Sequence, residues 1–320
     1  MKKFFKYSLM LLLALALLAS AVGCGGSQSG QQAEKAASGS NAAGEKKPTI
    51  VIGSKTFTEA LLLGTLTYQY LQHLGYPVEN KVGLGELAVI RPALESGQIS
   101  GYWEYTGTVL INVMKHEPSF NEEACFQLVK EWDAKNGLVW LDYAPLNDTY
   151  GIMVRKDIAQ KYNLTKTSQL IELIKKGEPI RFVSTQEYNE RPDGLAHFEG
   201  VYGFKYPKKL LINAALNVGY EALKAKQAEA GLAFTTDARV KAYDLVMLED
   251  DKKAFPVYNA APVFRKEIID AYPQLPEQMK KLSSLLDDAT IMELNKQVDV
   301  DKKTVEEVAR EFLKQKGLIS

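Results

Sequence analysis

From Pro48 onward the chain alternates short β-branched runs with amphipathic helical stretches, and this alternation limits its possible folds more than any other feature. Thr49-Ile50-Val51-Ile52-Gly53 reads as a buried strand closed by glycine. Thr56 and Glu59 stand at capping-box spacing and predict a helix start; Leu62, Leu66, Tyr70 and Leu74 share one face, and Gly75 ends it. The segment around Lys81-Val82-Gly83-Leu84 predicts a second strand. Leu87 to Ser96 predicts a helix stopped by Gly97, and Ile99 to Trp103 a further strand. Strand, helix, strand, helix at this spacing argues for an α/β fold with a largely parallel sheet.

The pattern continues with helices over 121–136, 168–176 and 213–224. Extended runs fall at 139–141, 150–155, 180–183, 230–234 and 245–248, and after Lys266 the chain is helical almost to its end. Tyr150 to Arg155 can leave one lobe for the next, and Phe255 to Val263 can return. The expected division is therefore lobe I from 48–149 plus 257–320, and lobe II from 150–256. Two lobes joined by two crossovers place a small-molecule cleft between them.

The chain opens on an address. Lys2, Lys3 and Lys6 precede an apolar run from Ser8 to Leu18 that is too short for a stable span. Ala21-Val22-Gly23-Cys24 resembles the lipobox of bacterial lipoproteins, which predicts a signal peptide over 1–23 and a lipidated Cys24. The competing reading is an ordinary secretory signal with Cys24 incidental. Residues 24–47, rich in Gly, Ser, Ala and Gln, predict a flexible tether. The expectation is an extracytoplasmic body, lipid-anchored to the cell membrane and monomeric. Of the two cysteines, a lipidated Cys24 leaves Cys125 without a partner, expected on the apolar side of a helix. Without the three leader lysines, 36 basic residues face 39 acidic ones, which gives no reason to expect nucleic acid.

The sequence offers little for catalysis. His73, His116 and His197 are widely separated, and neither zinc spacing, a Gly-x-Ser-x-Gly elbow nor a phosphate loop occurs. No catalytic residue, metal or cofactor is expected, and the protein is not read as an enzyme. Aromatic residues instead collect at strand ends and turns, in Tyr102-Trp103-Glu104-Tyr105, Asn147-Asp148-Thr149-Tyr150 and Phe255-Pro256-Val257-Tyr258. Tyr150 and Tyr258 border the predicted cleft.

Ile52-Gly53-Ser54-Lys55-Thr56-Phe57-Thr58-Glu59, Tyr105-Thr106-Gly107-Thr108 and Asn147-Asp148-Thr149-Tyr150 occur in this order. Arg191-Pro192-Asp193-Gly194, Thr235-Thr236-Asp237-Ala238-Arg239 and Tyr258-Asn259-Ala260-Ala261-Pro262 follow. Together they resemble the glycine betaine, choline and proline-betaine binding proteins of osmoprotectant ABC importers. The resemblance implies a two-lobed type II periplasmic-binding-protein fold that delivers a quaternary-ammonium solute to a permease subunit. It implies an aromatic cage of Tyr105, Tyr150, Phe234 and Tyr258 with Asp148 beside it, and Lys55, Thr108 and Arg191 on a ligand carboxylate. Trimethylammonium has charge but no N–H, so ring faces must hold it, while a carboxylate needs charge-assisted donors. Phe234 stands where tyrosine is common in relatives. The Gln186 to Arg191 segment also resembles binders of larger betaines such as ergothioneine. Choline, carnitine and other betaines remain alternatives, as do a non-transport sensor lipoprotein and an enzyme on the same fold.

Overall fold

The computed structural model describes residues 47–320. The expected signal segment 1–23, Cys24 and all but the last residue of the expected 24–47 tether lie outside the described residues. Among the described residues, ten strands form two five-stranded sheets. β1 (Ile50–Gly53), β2 (Val78–Lys81), β3 (Gly101–Tyr105) and β4 (Leu138–Trp140) build the first, with the late strand β10 (Ala260–Arg265), in the order β2-β1-β3-β10-β4. β5 (Tyr150–Arg155), β6 (Phe182–Ser184), β7 (Leu211–Asn213), β8 (Ala230–Phe234) and β9 (Leu245–Leu248) build the second, in the order β7-β6-β8-β5-β9.

Each sheet holds one antiparallel strand, β10 in the first and β5 in the second, and each is the strand that follows a passage between sheets. The two passages run side by side, joined by a bridge between Asn147 and Asn259. The fold is a two-lobed α/β architecture in which the chain enters and leaves the second sheet at one edge of the cleft.

The helix Thr58–His73 buries Leu62, Leu63, Leu66, Tyr70 and Leu71 against the first sheet and the C-terminal helix Val305–Gln315. That last helix presents Val308, Ala309, Phe312 and Leu313 in return. The expected capping box is absent: the helix begins at Thr58 with Phe57 at its N-cap. The Thr56 hydroxyl instead donates to Glu86, and Glu59 turns inward to a buried network. Leu74 is exposed because the helix has ended by then and its backbone leaves helical geometry. β2 lies three residues before its expected position, since Gly83 and Gly85 take up positive φ and turn the chain where a strand was expected. Cys125 is buried on the helix Glu122–Ala134, and burial pushes its thiol up to about 11.

Candidate functional site

A cavity of about 700 Å³ lies between the two sheets, within the range of small-molecule sites. It sits at the carboxyl ends of the parallel strands. Lys55 follows β1, Tyr105 ends β3, Thr185 follows β6 and Phe234 ends β8. Side chains there leave the packed sheet without disturbing the ladder, which is why open α/β sheets bind ligands at this edge. All eight residues expected at a ligand line this one cavity: Lys55, Tyr105, Thr108, Asp148, Tyr150, Arg191, Phe234 and Tyr258.

The rings form a continuous arc. Register pairs Tyr150 with Phe234 across β5 and β8, so the two stack with centroids 5.2 Å apart. Tyr258 meets Tyr150 edge-on at 5.5 Å. Phe57, not expected here, closes the other side, 5.4 Å from Phe234 and 5.9 Å from Tyr105. Gly107 permits the arrangement: a Cβ there would strike the Val257 carbonyl and approach Tyr258 Cδ1 to 2.8 Å.

Both expected cations are buried and already paired. Lys55 Nζ donates to Glu104 Oε1 at 2.6 Å and stands 5.0 Å from the Tyr105 ring centre. Arg191 grips Asp193 with Nε at 2.8 Å and a terminal nitrogen at 2.6 Å. Its guanidinium lies 5.6 Å from the Tyr150 ring and 5.8 Å from that of Tyr258. Burial works to raise the Asp193 pKa, but Arg191, the Tyr258 hydroxyl donating at 2.5 Å and Asn112 hold it below the ordinary value. Asn112 belongs to the segment between β3 and β4, so Asp193 ties the second sheet's side of the cleft to the first.

Beneath the arc lies a second set of acids. Asp148 and Glu59, the latter from the helix Thr58–His73, each place a carboxyl oxygen 2.7 Å from Thr236 Oγ. Tyr105 donates to the other oxygen of Glu59 at 2.7 Å. Burial pushes Glu59 up to about 7, against the bonds from Tyr105 and Thr236. Burial and then the Glu59 charge push Asp148 well above the carboxylate range.

Phe57, Glu59, Glu104, Asp193 and Thr236 all stand inside sequence segments that were singled out, yet none was expected at the site. Glu104 is the single charge in the aromatic strand Tyr102-Trp103-Glu104-Tyr105, the one local signal that could have flagged it. Partnership between residues tens or hundreds of positions apart leaves no local trace.

Residues 48–315 match a family described as the substrate-binding domain of ABC-type glycine betaine transport systems. The chain is 36% identical over 277 residues to a glycine-betaine-binding protein of Pseudomonas aeruginosa, covering 85% of this chain and 89% of that protein. It is 33% identical over 276 residues to an ergothioneine transport permease/ergothioneine binding protein of Helicobacter pylori, covering 86% of this chain and 48% of that longer protein. The solved structure of apo YehZ from Escherichia coli superposes with a TM-score of 0.62 at 35% identity, over 84% of this chain and 99% of that one.

Proposed function

Because the chain belongs to the family of substrate-binding domains of ABC-type glycine betaine transport systems, we propose that it binds a small quaternary-ammonium solute, glycine betaine foremost, in the ring-lined cavity. Members of this family are extracytoplasmic binding proteins of importers, not enzymes. The observation that carries the ligand reading is the five-ring arc in one cavity with Asp148, Lys55 and Arg191. An ammonium without N–H groups gains roughly 0.5 to 2 kcal/mol from each ring face. A carboxylate at the other end of the ligand meets Arg191, Lys55 and the Thr108 hydroxyl. Several rings and one charge-assisted pair correspond to a Kd on the order of micromolar, about −8 kcal/mol.

The ligand closes the cleft on this reading. Lobe I (48–149 plus 257–320) and lobe II (150–256) move as bodies about the paired passages, and binding shifts the population toward the closed form that the permease recognises. Contacts of the closed kind are Glu59 with Thr236, Asn112 with Asp193, and Arg239 with Asp299. The body is held at the membrane through an acylated Cys24 and the 24–47 tether, and acts as a monomer. A second reading, a larger betaine such as ergothioneine, is favoured by the 700 Å³ cavity and by Gln186 and Glu187 on its wall.

Calorimetric titration of residues 47–320 with glycine betaine, choline, proline betaine and ergothioneine separates these readings. Tight binding of a small betaine is the expected result. Heat from ergothioneine alone moves the substrate but keeps the transport role, and silence with all four removes the quaternary-ammonium assignment.

A further inference from the structure

Thr236 has one hydroxyl hydrogen and two carboxyl neighbours, each 2.7 Å from its oxygen. That hydrogen serves one of them. The other contact is a hydrogen bond only if the second carboxyl carries a proton of its own and donates it to Thr236 Oγ. Two ionised carboxylates would leave one short contact as repulsion between lone pairs in a buried site, where nothing screens it. We propose that Glu59 and Asp148 hold one proton between them through the Thr236 hydroxyl, and that an ammonium group entering the cavity drives this proton from Asp148 to Glu59. The proposal rests on the quaternary-ammonium reading above.

The geometry sets which end holds the proton before the ligand arrives. Glu59 is served by three residues, Tyr105, Thr236 and Asn295, whereas among the described residues Asp148 is served by Thr236 alone, through its hydroxyl and its backbone N–H. Donors to a carboxylate favour its charge, which leaves the proton on Asp148 in the empty site. The surroundings resist a second charge. Arg239 is shared by Asp237 at 2.5 Å and Asp299 at 3.4 Å, two carboxylates against one guanidinium. From the helix Asp288–Asp299, Asp288 adds a like charge toward Glu59, while Asn295 donates to the Thr236 carbonyl at 3.2 Å and fixes the bridge.

The ligand reverses the preference because the two acids face different ways. Asp148 lines the large cavity, and Glu59 lines only the small chamber of about 20 Å³ behind it. A cation among the rings is therefore nearer Asp148. The Asp148 O–H bond breaks as a new O–H bond forms at Thr236 Oγ. The original Thr236 O–H breaks as one forms at Glu59 Oε2. No proton enters or leaves the protein, and one negative charge moves to the ligand's side. Glu59 is thus a positioning residue that touches no ligand; it stores the proton that would otherwise neutralise the site.

Difference infrared spectroscopy of the full described body, with and without glycine betaine, reads the transfer directly. The expected spectrum loses the C=O stretch of a protonated aspartic acid and gains that of a protonated glutamic acid. Carbon-13 aspartate shifts only the lost band, and carbon-13 glutamate only the gained one. Glu59→Gln abolishes the gain, Thr236→Ser retains both bands, and titration in phosphate and in MOPS gives about zero protons exchanged per ligand. If the wild type binds with heat but shows neither band, or releases about one proton to the buffer, the relay is wrong while the ligand reading stands. If no quaternary amine gives heat, the ligand reading fails first and the relay falls with it.

Discussion

At the residue scale, the cations of the site are neutralised before any ligand arrives. Lys55 is buried against Glu104, which also accepts from the Tyr102 hydroxyl at 2.6 Å and from the Tyr105 amide at 2.7 Å. Removing one partner of a buried pair strands the other. Glu104→Ala is therefore expected to cost about 3 to 5 kcal/mol of unfolding free energy in a denaturant titration. Tyr150 is central in a different way, since it stacks on Phe234, meets Tyr258 edge-on and carries the Arg191 guanidinium over its face. Tyr150→Ala should weaken glycine betaine binding roughly 10- to 30-fold by calorimetry, the worth of one desolvated ring face. Affinity retained within about twofold would remove the arc as the ammonium site.

At the element scale, the helix Thr58–His73 serves two ends of the molecule. Its buried face, which includes Leu62 and Leu66, packs in the core shared with the C-terminal helix, and its first turn delivers Glu59 to the site. Leu66→Ala opens a cavity in that core and should cost about 2 to 5 kcal/mol of stability. The ligand-binding enthalpy should stay unchanged at temperatures where the variant is folded. A large change in enthalpy would mean that the packing also sets the position of Glu59. Periodicity made this helix legible, and unbroken apolar runs did the same for the strands at 50–53, 150–155 and 230–234, which are buried at nearly every residue. The capping box failed for a tertiary reason. Glu59 has a better use inside, where Tyr105 and Thr236 reach it from other elements.

At the scale of the whole molecule, folding draws acidic groups together. Glu59 titrates at about 7 in the fold against an ordinary 4.5, so the folded state holds its proton more tightly than the unfolded chain. Below about 4.5 both states are protonated and the group is neutral to stability. Between about 4.5 and about 7 the unfolded chain has given up the proton and the fold retains it, so stability falls as pH rises through that window; above about 7 the Glu59 contribution is level and Glu59 is the ionised partner of Asp148. Glu59→Gln should lose this slope: its stability relative to the wild type rises from about pH 4.5 to about pH 7, as read by thermal midpoints. A constant difference across that range would place the Glu59 carboxyl at an ordinary pKa.

The sequence alone determined the alternation of elements and the collection of rings at strand ends and turns, because periodicity and turn residues are local properties; it allowed the two passages between sheets without fixing them. The family resemblance, not periodicity, implied Lys55, Tyr105, Thr108, Asp148, Tyr150, Arg191, Phe234 and Tyr258 as ligand residues, and all of them line the cavity. Only the tertiary structure decided how those residues are used. The 5.2 Å stacking of Tyr150 on Phe234 depends on strand register, and the insertion of Phe57 into the arc depends on how a helix start meets the sheet. Lys55 with Glu104, Arg191 with Asp193, and Glu59 with Asp148 through Thr236 are choices among many possible partners. Charges select partners by proximity in a buried, poorly screened interior, and that proximity exists only once both sheets are in place.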